Sequence, residues 1–180
     1  MKIEGNRIFL QSLDSSFGEA ILALEIRNQE FFKQFTIERD ADFYTLESQL
    51  KRLRKKEKER EDDKGYLFGI FQQESQELIG EIDLFKIERG PAQCAMVGYS
   101  LDKSLNGNGY MTEAIKLVVN HAFHDLELHR LEAGVMPHNL GSIRALEKSG
   151  FHKEGIAEKN VKINGRWEDH QMLAIVNPED

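Results

Sequence analysis

The sequence predicts an α+β fold built on one mixed, mostly antiparallel sheet of about seven strands flanked by helices. Between Tyr66 and Leu101, three β-rich runs (Tyr66 to Gln72, Glu77 to Ile87, Gln93 to Leu101) follow one another across polar or Gly-Pro turns. That spacing is the mark of an antiparallel meander. From Tyr110 to Leu126 the apolar residues Ala114, Ile115, Leu117, Val118, Ala122 and Phe123 recur at helical spacing, which gives an amphipathic helix. Strands dominate the middle of the chain and helices interrupt its ends, the order expected of an α+β domain.

The other elements follow in chain order. Alternating apolar positions in Ile8-Phe9-Leu10-Gln11-Ser12-Leu13 predict a first strand, after which Asp14 and Ser15 offer N-caps to a helix carrying Ile21, Leu22, Leu24 and Ile26. A second helical region, in two pieces, runs from about Glu30 to about Asp63. Beyond the long helix come a short strand at Arg130 to Met136 and a helix from Asn139 to Lys148 that Gly150 closes as its C-cap. Val161-Lys162-Ile163 and Trp167 to Val176 then flank Asn164-Gly165, the dipeptide best suited to a tight type I′ hairpin.

A chain of 180 residues with 40% hydrophobic content can bury one sizeable core, so residues 1–180 read as a single domain. No apolar run approaches the roughly 20 residues that cross a bilayer, and Met1 to Arg7 lacks the apolar centre of a secretory signal. These features point to a soluble, cytoplasmic protein with no membrane partner. The lone Cys94 has no thiol to pair with and lies in the apolar stretch Cys94-Ala95-Met96-Val97, where a small buried side chain is the ordinary reading. A net charge of −7 argues against direct nucleic-acid binding. The basic segment Lys51–Arg60 is followed at once by Glu61, Asp62 and Asp63 and has no interleaved aromatics, so it reads as a solvated helix face, with a docking patch for an acidic partner as the alternative. His121, His124 and His129 lack a metal-binding spacing and a companion cysteine pair, and no metal is expected.

Two segments carry chemistry. In the first, Val97-Gly98-Tyr99-Ser100-Leu101 leads through Asn106-Gly107-Asn108-Gly109 directly into the N-terminus of the Tyr110 helix. Free N–H groups at such a terminus, with the positive end of the helix dipole behind them, suit a pyrophosphate, and glycines let it approach. The dinucleotide-fold pattern would need a further glycine where Thr112 stands, and the P-loop would need Gly-Lys-Ser or Gly-Lys-Thr, so neither applies. In the second segment, Asn139 and Ser142 lie on the same side of a helix's first turn, where capping by Asn139 is the simplest role.

Together these segments resemble the GNAT superfamily of N-acetyltransferases. The acyl-CoA signature of that family, Gln/Arg-x-x-Gly-x-Gly/Ala, is met by Asn106-x-x-Gly109-x-Met111, and its second signature by Asn139-x-x-Ser142 with Gly150-Phe151. Asn106 replaces the usual Gln or Arg, and Met111 the usual small residue. Gly109-Tyr110-Met111-Thr112-Glu113-Ala114 and Asn164-Gly165-Arg166-Trp167-Glu168-Asp169 are similar to the ribosomal-protein N-acetyltransferase branch. So are Arg7-Ile8-Phe9-Leu10 and Asn28-Gln29-Glu30-Phe31-Phe32.

The resemblance implies a sheet splayed between its fourth and fifth predicted strands, Gln93 to Leu101 and Arg130 to Met136. Acetyl-CoA is then the cosubstrate, its pantetheine arm bonded by backbone at Tyr99, Ser100 and Leu101. The amides of Asn108, Gly109, Tyr110, Met111 and Thr112, in the loop that Asn106 opens, would hold its pyrophosphate, and Asn139 would orient the arm. A neutral amine would attack the thioester directly, with a strand N–H near Tyr99 stabilising the tetrahedral intermediate. Many GNAT enzymes protonate the departing thiolate with a tyrosine at the position that Leu146 occupies here, so Ser142 is the expected acid, with helix capping as its alternative. Glu81 and Asp83, inside a strand that is apolar on both faces, are candidates to relay the amine's proton through water, and ion pairing with a Lys or Arg is the commoner fate of such carboxylates.

The expected acceptor is a protein N-terminus, in particular that of a ribosomal protein. A small-molecule amine such as a polyamine or antibiotic is the rival within the fold, and a non-catalytic acyl-CoA-binding sensor the rival outside it. The resemblance also leaves room for a homo-oligomer.

Overall fold

The computed structural model describes residues 1–180, which form one eight-stranded sheet in the order β1-β2-β3-β4-β5-β6-β8-β7. The strands are β1 Lys2–Glu4, β2 Ile8–Ser12, β3 Gly65–Gln72, β4 Leu78–Glu88, β5 Cys94–Leu101, β6 Arg130–Val135, β7 His152–Ile163 and β8 Arg166–Val176. The helices are α1 Gly18–Arg27, α2 Gln29–Phe32, α3 Leu46–Glu61, α4 Tyr110–His124 and α5 Leu140–Lys148. Every neighbouring pair of strands is antiparallel except β5 and β6.

Where apolar periodicity is strong, the expected elements lie within two residues of those observed. Two strands escaped it. β1 is too short to show alternation, and β7 is exposed along most of its length, so only the three residues beside the turn were expected of it. Asn164 and Gly165 both take positive φ, 48° and 77°, as a type I′ turn requires.

The sheet buries both faces. On one, Ile8, Phe68, Ile82 and Leu84 pack with Ala114, Ile115 and Val118 of α4 and Leu146 of α5. On the other, Phe9, Leu67 and Phe71 meet Ile21 and Leu24 of α1 and Leu53 of α3. Strict alternation along β4 groups Leu78 with Ile82 and Leu84, and the structure corrects this. Phe71 pairs with Leu78 but Ile70 with Gly80, a bulge that sends Leu78 to the α1/α3 side and leaves Ile79 with Ile82.

The parallel pair is short. β5 and β6 are in register only at Cys94–Arg130, Ala95–Leu131 and Met96–Glu132, after which β6 stays with β8 and β5 with β4. Val97 to Leu101 therefore present a strand edge that no β6 residue faces, and the sheet splays there.

Candidate active site

The loop after β5 is built to leave amides free. A short 3-10 turn, Lys103–Leu105, is capped by Asp102, and Gly109 takes a left-handed φ of 83° that turns the chain into α4. The first backbone bond of the helix runs from the Glu113 N–H to the Gly109 carbonyl (3.1 Å), so the N–H groups of Asn108 to Thr112 have no partner within the chain. They cluster at the positive end of a fifteen-residue helix, an arrangement that binds phosphate. Asn108 folds its side-chain amide back onto the Leu105 carbonyl (3.0 Å) and fixes the loop, while Asn106 is exposed.

A brace not expected from the sequence holds this terminus. One carboxylate oxygen of Glu113, in the first turn of α4, accepts from the N–H groups of Asn6 (2.7 Å), Arg7 (2.9 Å) and Ile8 (3.4 Å). Arg7 bonds the other Glu113 oxygen through Nε (3.3 Å) and gives Nη1 to the Asn108 carbonyl (2.7 Å). The turn between β1 and β2 thus grips the phosphate loop.

Beside the splay, β5 brings Tyr99 against α5. The phenol oxygen lies 2.7 Å from Ser142 Oγ and 3.3 Å from the Ser142 carbonyl. Asn139 is the N-cap of α5, accepting from the Ser142 N–H at 3.3 Å. Asn139, Ser142 and Tyr99 are thus brought together at the opening, whereas Leu146 is wholly buried in the core. Burial pushes the Tyr99 phenol up, and the Ser142 contact offsets that only in part.

Glu81 and Asp83 lie on the opposite face, toward α3. The basic segment of α3 is only partly solvated: Lys51, Arg54, Lys55 and Lys58 are exposed, but Arg52 and Lys56 turn inward. Arg52 grips both oxygens of Glu81 (3.0 and 2.9 Å), and Lys56 Nζ lies 2.7 Å from Asp83 Oδ2. Asp83 Oδ1 is buried without a partner. Burial raises the Asp83 carboxyl above its ordinary value, more than Lys56 lowers it. Ser100 is directly across from Glu81 on β5, and Gly98 across from Asp83.

The remaining candidates are structural. Cys94 is half-buried, and burial raises its thiol, followed by the charges of Glu88 and Glu132. His121 is buried with Nδ1 2.7 Å from Asp125 Oδ2, and no three His, Cys, Asp or Glu side chains stand close enough to hold a metal ion. No helix is long and apolar enough to cross a membrane.

A sequence profile described as the acetyltransferase (GNAT) domain matches residues 7–152. The probable N-acetyltransferase YjcK of Bacillus subtilis (strain 168) is 55% identical over 178 residues, covering 99% of this chain and 98% of that protein. The [ribosomal protein uS5]-alanine N-acetyltransferase of Escherichia coli (strain K12) is 33% identical over 114 residues, which span 63% of this chain and 59% of that protein. The crystal structure of ribosomal-protein-S5-alanine acetyltransferase from Vibrio fischeri superposes with a TM-score of 0.94 at 29% identity, covering 99% of this chain and 98% of the other.

Proposed function

The chain belongs to the GNAT acetyltransferase family, and on that premise we propose that it acetylates the N-terminal α-amino group of proteins, ribosomal proteins first among them. It is an N-acetyltransferase of the GNAT type, and the reading takes acetyl-CoA as its acetyl donor. The acceptor is the part proposed, and the pairing of the β4 carboxylates carries it.

Glu81 accepts from Arg52 on both oxygens, and Asp83 accepts from Lys56 on one. Each of these two carboxylates is already paired with a cation, and the pairing weakens it as a base, so the site favours an amine that is already partly neutral. With reference pKa values of about 7.7–8.0 for an α-amino group and about 10.4 for lysine, the neutral fraction at pH 7 differs by roughly 300-fold. An N-terminus meets that condition, whereas a lysine side chain or a polyamine does not. The relatives named as ribosomal-protein alanine acetyltransferases support a ribosomal-protein acceptor.

In this reading the amides of Asn108 to Thr112 hold the pyrophosphate, and the free edge of β5 at Tyr99, Ser100 and Leu101 bonds the pantetheine arm. The amine enters from the α3 side of the splay and attacks the acetyl carbonyl, whose developing oxyanion a β5 N–H stabilises. The nitrogen's surplus proton leaves through water toward Asp83, the β4 carboxylate with an oxygen to spare. On the other face the C–S electron pair passes to sulfur, beside the Ser142 hydroxyl.

Thiol release from acetyl-CoA with three acceptor sets tests this: peptides with free N-termini, lysine peptides with blocked N-termini, and polyamines. The expected result is turnover with the first set only, rising with pH through about 8 as the α-amino group deprotonates. Turnover confined to polyamines or blocked lysine peptides would overturn the acceptor assignment, and binding of acetyl-CoA without turnover on any set would favour a sensor.

A further inference from the structure

We infer that Tyr99 is a positioning residue for the reaction, its phenol hydrogen-bonding Ser142 Oγ so that the serine's own hydrogen is directed at the departing sulfur. This rests on the reading of Ser142 as the group beside the sulfur.

The argument starts from two hydroxyls 2.7 Å apart, only one of which can donate to the other. A phenol (pKa about 10) is a far stronger acid than an aliphatic alcohol, which resembles water at about 15.7, so the phenol makes the better donor. With Tyr99 donating, Ser142 accepts on one lone pair and its hydrogen is free to rotate to a third atom. With the direction reversed, the serine hydrogen would be spent on Tyr99 and the sulfur would face only lone pairs. The second acceptor within reach of the phenol, the Ser142 carbonyl, lies farther away at 3.3 Å.

The fold supplies no alternative hydroxyl from α5. Leu146 is fully buried in the main core among α4 and β-strand residues. Tyr99 reaches the same helix from β5 instead. Because burial raises its phenol, Tyr99 keeps its proton throughout and acts as a hydrogen-bond donor, not as an acid. A CoA-like thiol, with a pKa of about 8.5, leaves readily as a thiolate that needs stabilising in that step more than protonating. The balance is then complete. The nitrogen–carbon bond forms and the carbon–sulfur bond breaks with its electron pair going to sulfur. The nitrogen's proton leaves on the acceptor side, and the thiolate, held by the Ser142 hydrogen, takes a proton from water on release.

Steady-state kinetics of Tyr99→Phe, Ser142→Ala, the double variant and Ser142→Thr, each checked by thermal unfolding, test the inference. Tyr99→Phe is expected to lower kcat about tenfold while KM for acetyl-CoA stays within about twofold, since it removes one oxygen that acts only through Ser142. In the Ser142→Ala background the same replacement should change kcat by less than about twofold, and in the Ser142→Thr background, which keeps a hydroxyl, it should again be costly. Equal losses from Tyr99→Phe with and without the serine hydroxyl would overturn the inference and leave the Ser142 reading standing. A wild-type kcat in Ser142→Ala would instead remove the Ser142 reading, and this inference with it.

Discussion

Asp102, at the mouth of the phosphate loop, is buried and still charged. Its Oδ2 lies 2.5 Å from Arg27 Nε, and its Oδ1 accepts from the Ser104 N–H (3.0 Å) and hydroxyl (2.7 Å). Burial alone would raise this carboxyl, but the bonds from Arg27 and Ser104 outweigh it and hold it down at about 2. A carboxyl lowered on folding stabilises the protein above its ordinary value near 3.9 and loses that contribution as pH falls toward 2. Asp102→Asn should therefore cost about 1–2 kcal/mol at pH 7, and the gap from wild type should close between about pH 4 and pH 2, as read by denaturant unfolding at each pH. At this scale the sequence marked Gly109, Asn139 and Ser142, because a turn and a helix cap leave local signatures. It gave no sign of the Tyr99 hydroxyl meeting Ser142, a contact across 43 residues.

Among the elements, α4 owes its placement to a chain turn more than 100 residues away. Three backbone N–H groups of the β1–β2 turn converge on one Glu113 oxygen, and Gly5 permits it, since a Cβ there would lie 2.7 Å from that oxygen. Glu113→Ala removes these contacts at an exposed turn where water takes the place of the carboxylate, at a cost of about 0.5–1.5 kcal/mol, and releases Arg7 from one anchor. The expected kinetic result is a KM for acetyl-CoA raised about tenfold with kcat nearly unchanged, because the loop that holds the phosphates loosens while the reacting groups stay in place. Measuring both constants with the variant's melting temperature checks it. The strong period of α4 made the helix itself legible. Its brace was not, because Glu113 reads in the sequence as an ordinary acidic residue in a first helical turn.

For the molecule as a whole, α3 is tied to the sheet by Leu53 and by buried charge. Arg52→Met should destabilise the protein by about 3–5 kcal/mol by stranding Glu81, whereas Arg52→Met with Glu81→Leu should recover most of that loss in denaturant unfolding. If the double variant were as unstable as the single one, the pair would have a role beyond neutralising Glu81. The sequence by itself determined the α+β class, the meander from β3 to β5, the amphipathic α4, the free amides before it and the capped start of α5. Each of these depends on apolar period, a turn residue or a cap, and such signals act over a few neighbouring residues. Only the tertiary structure decided the bulge that moves Leu78 to the other face, the inward turn of Arg52 and Lys56, the Glu113 brace and the meeting of Tyr99 with Ser142. Those depend on which distant elements lie side by side, and charge or hydroxyl chemistry read along the chain does not specify a partner until packing brings one within hydrogen-bond reach.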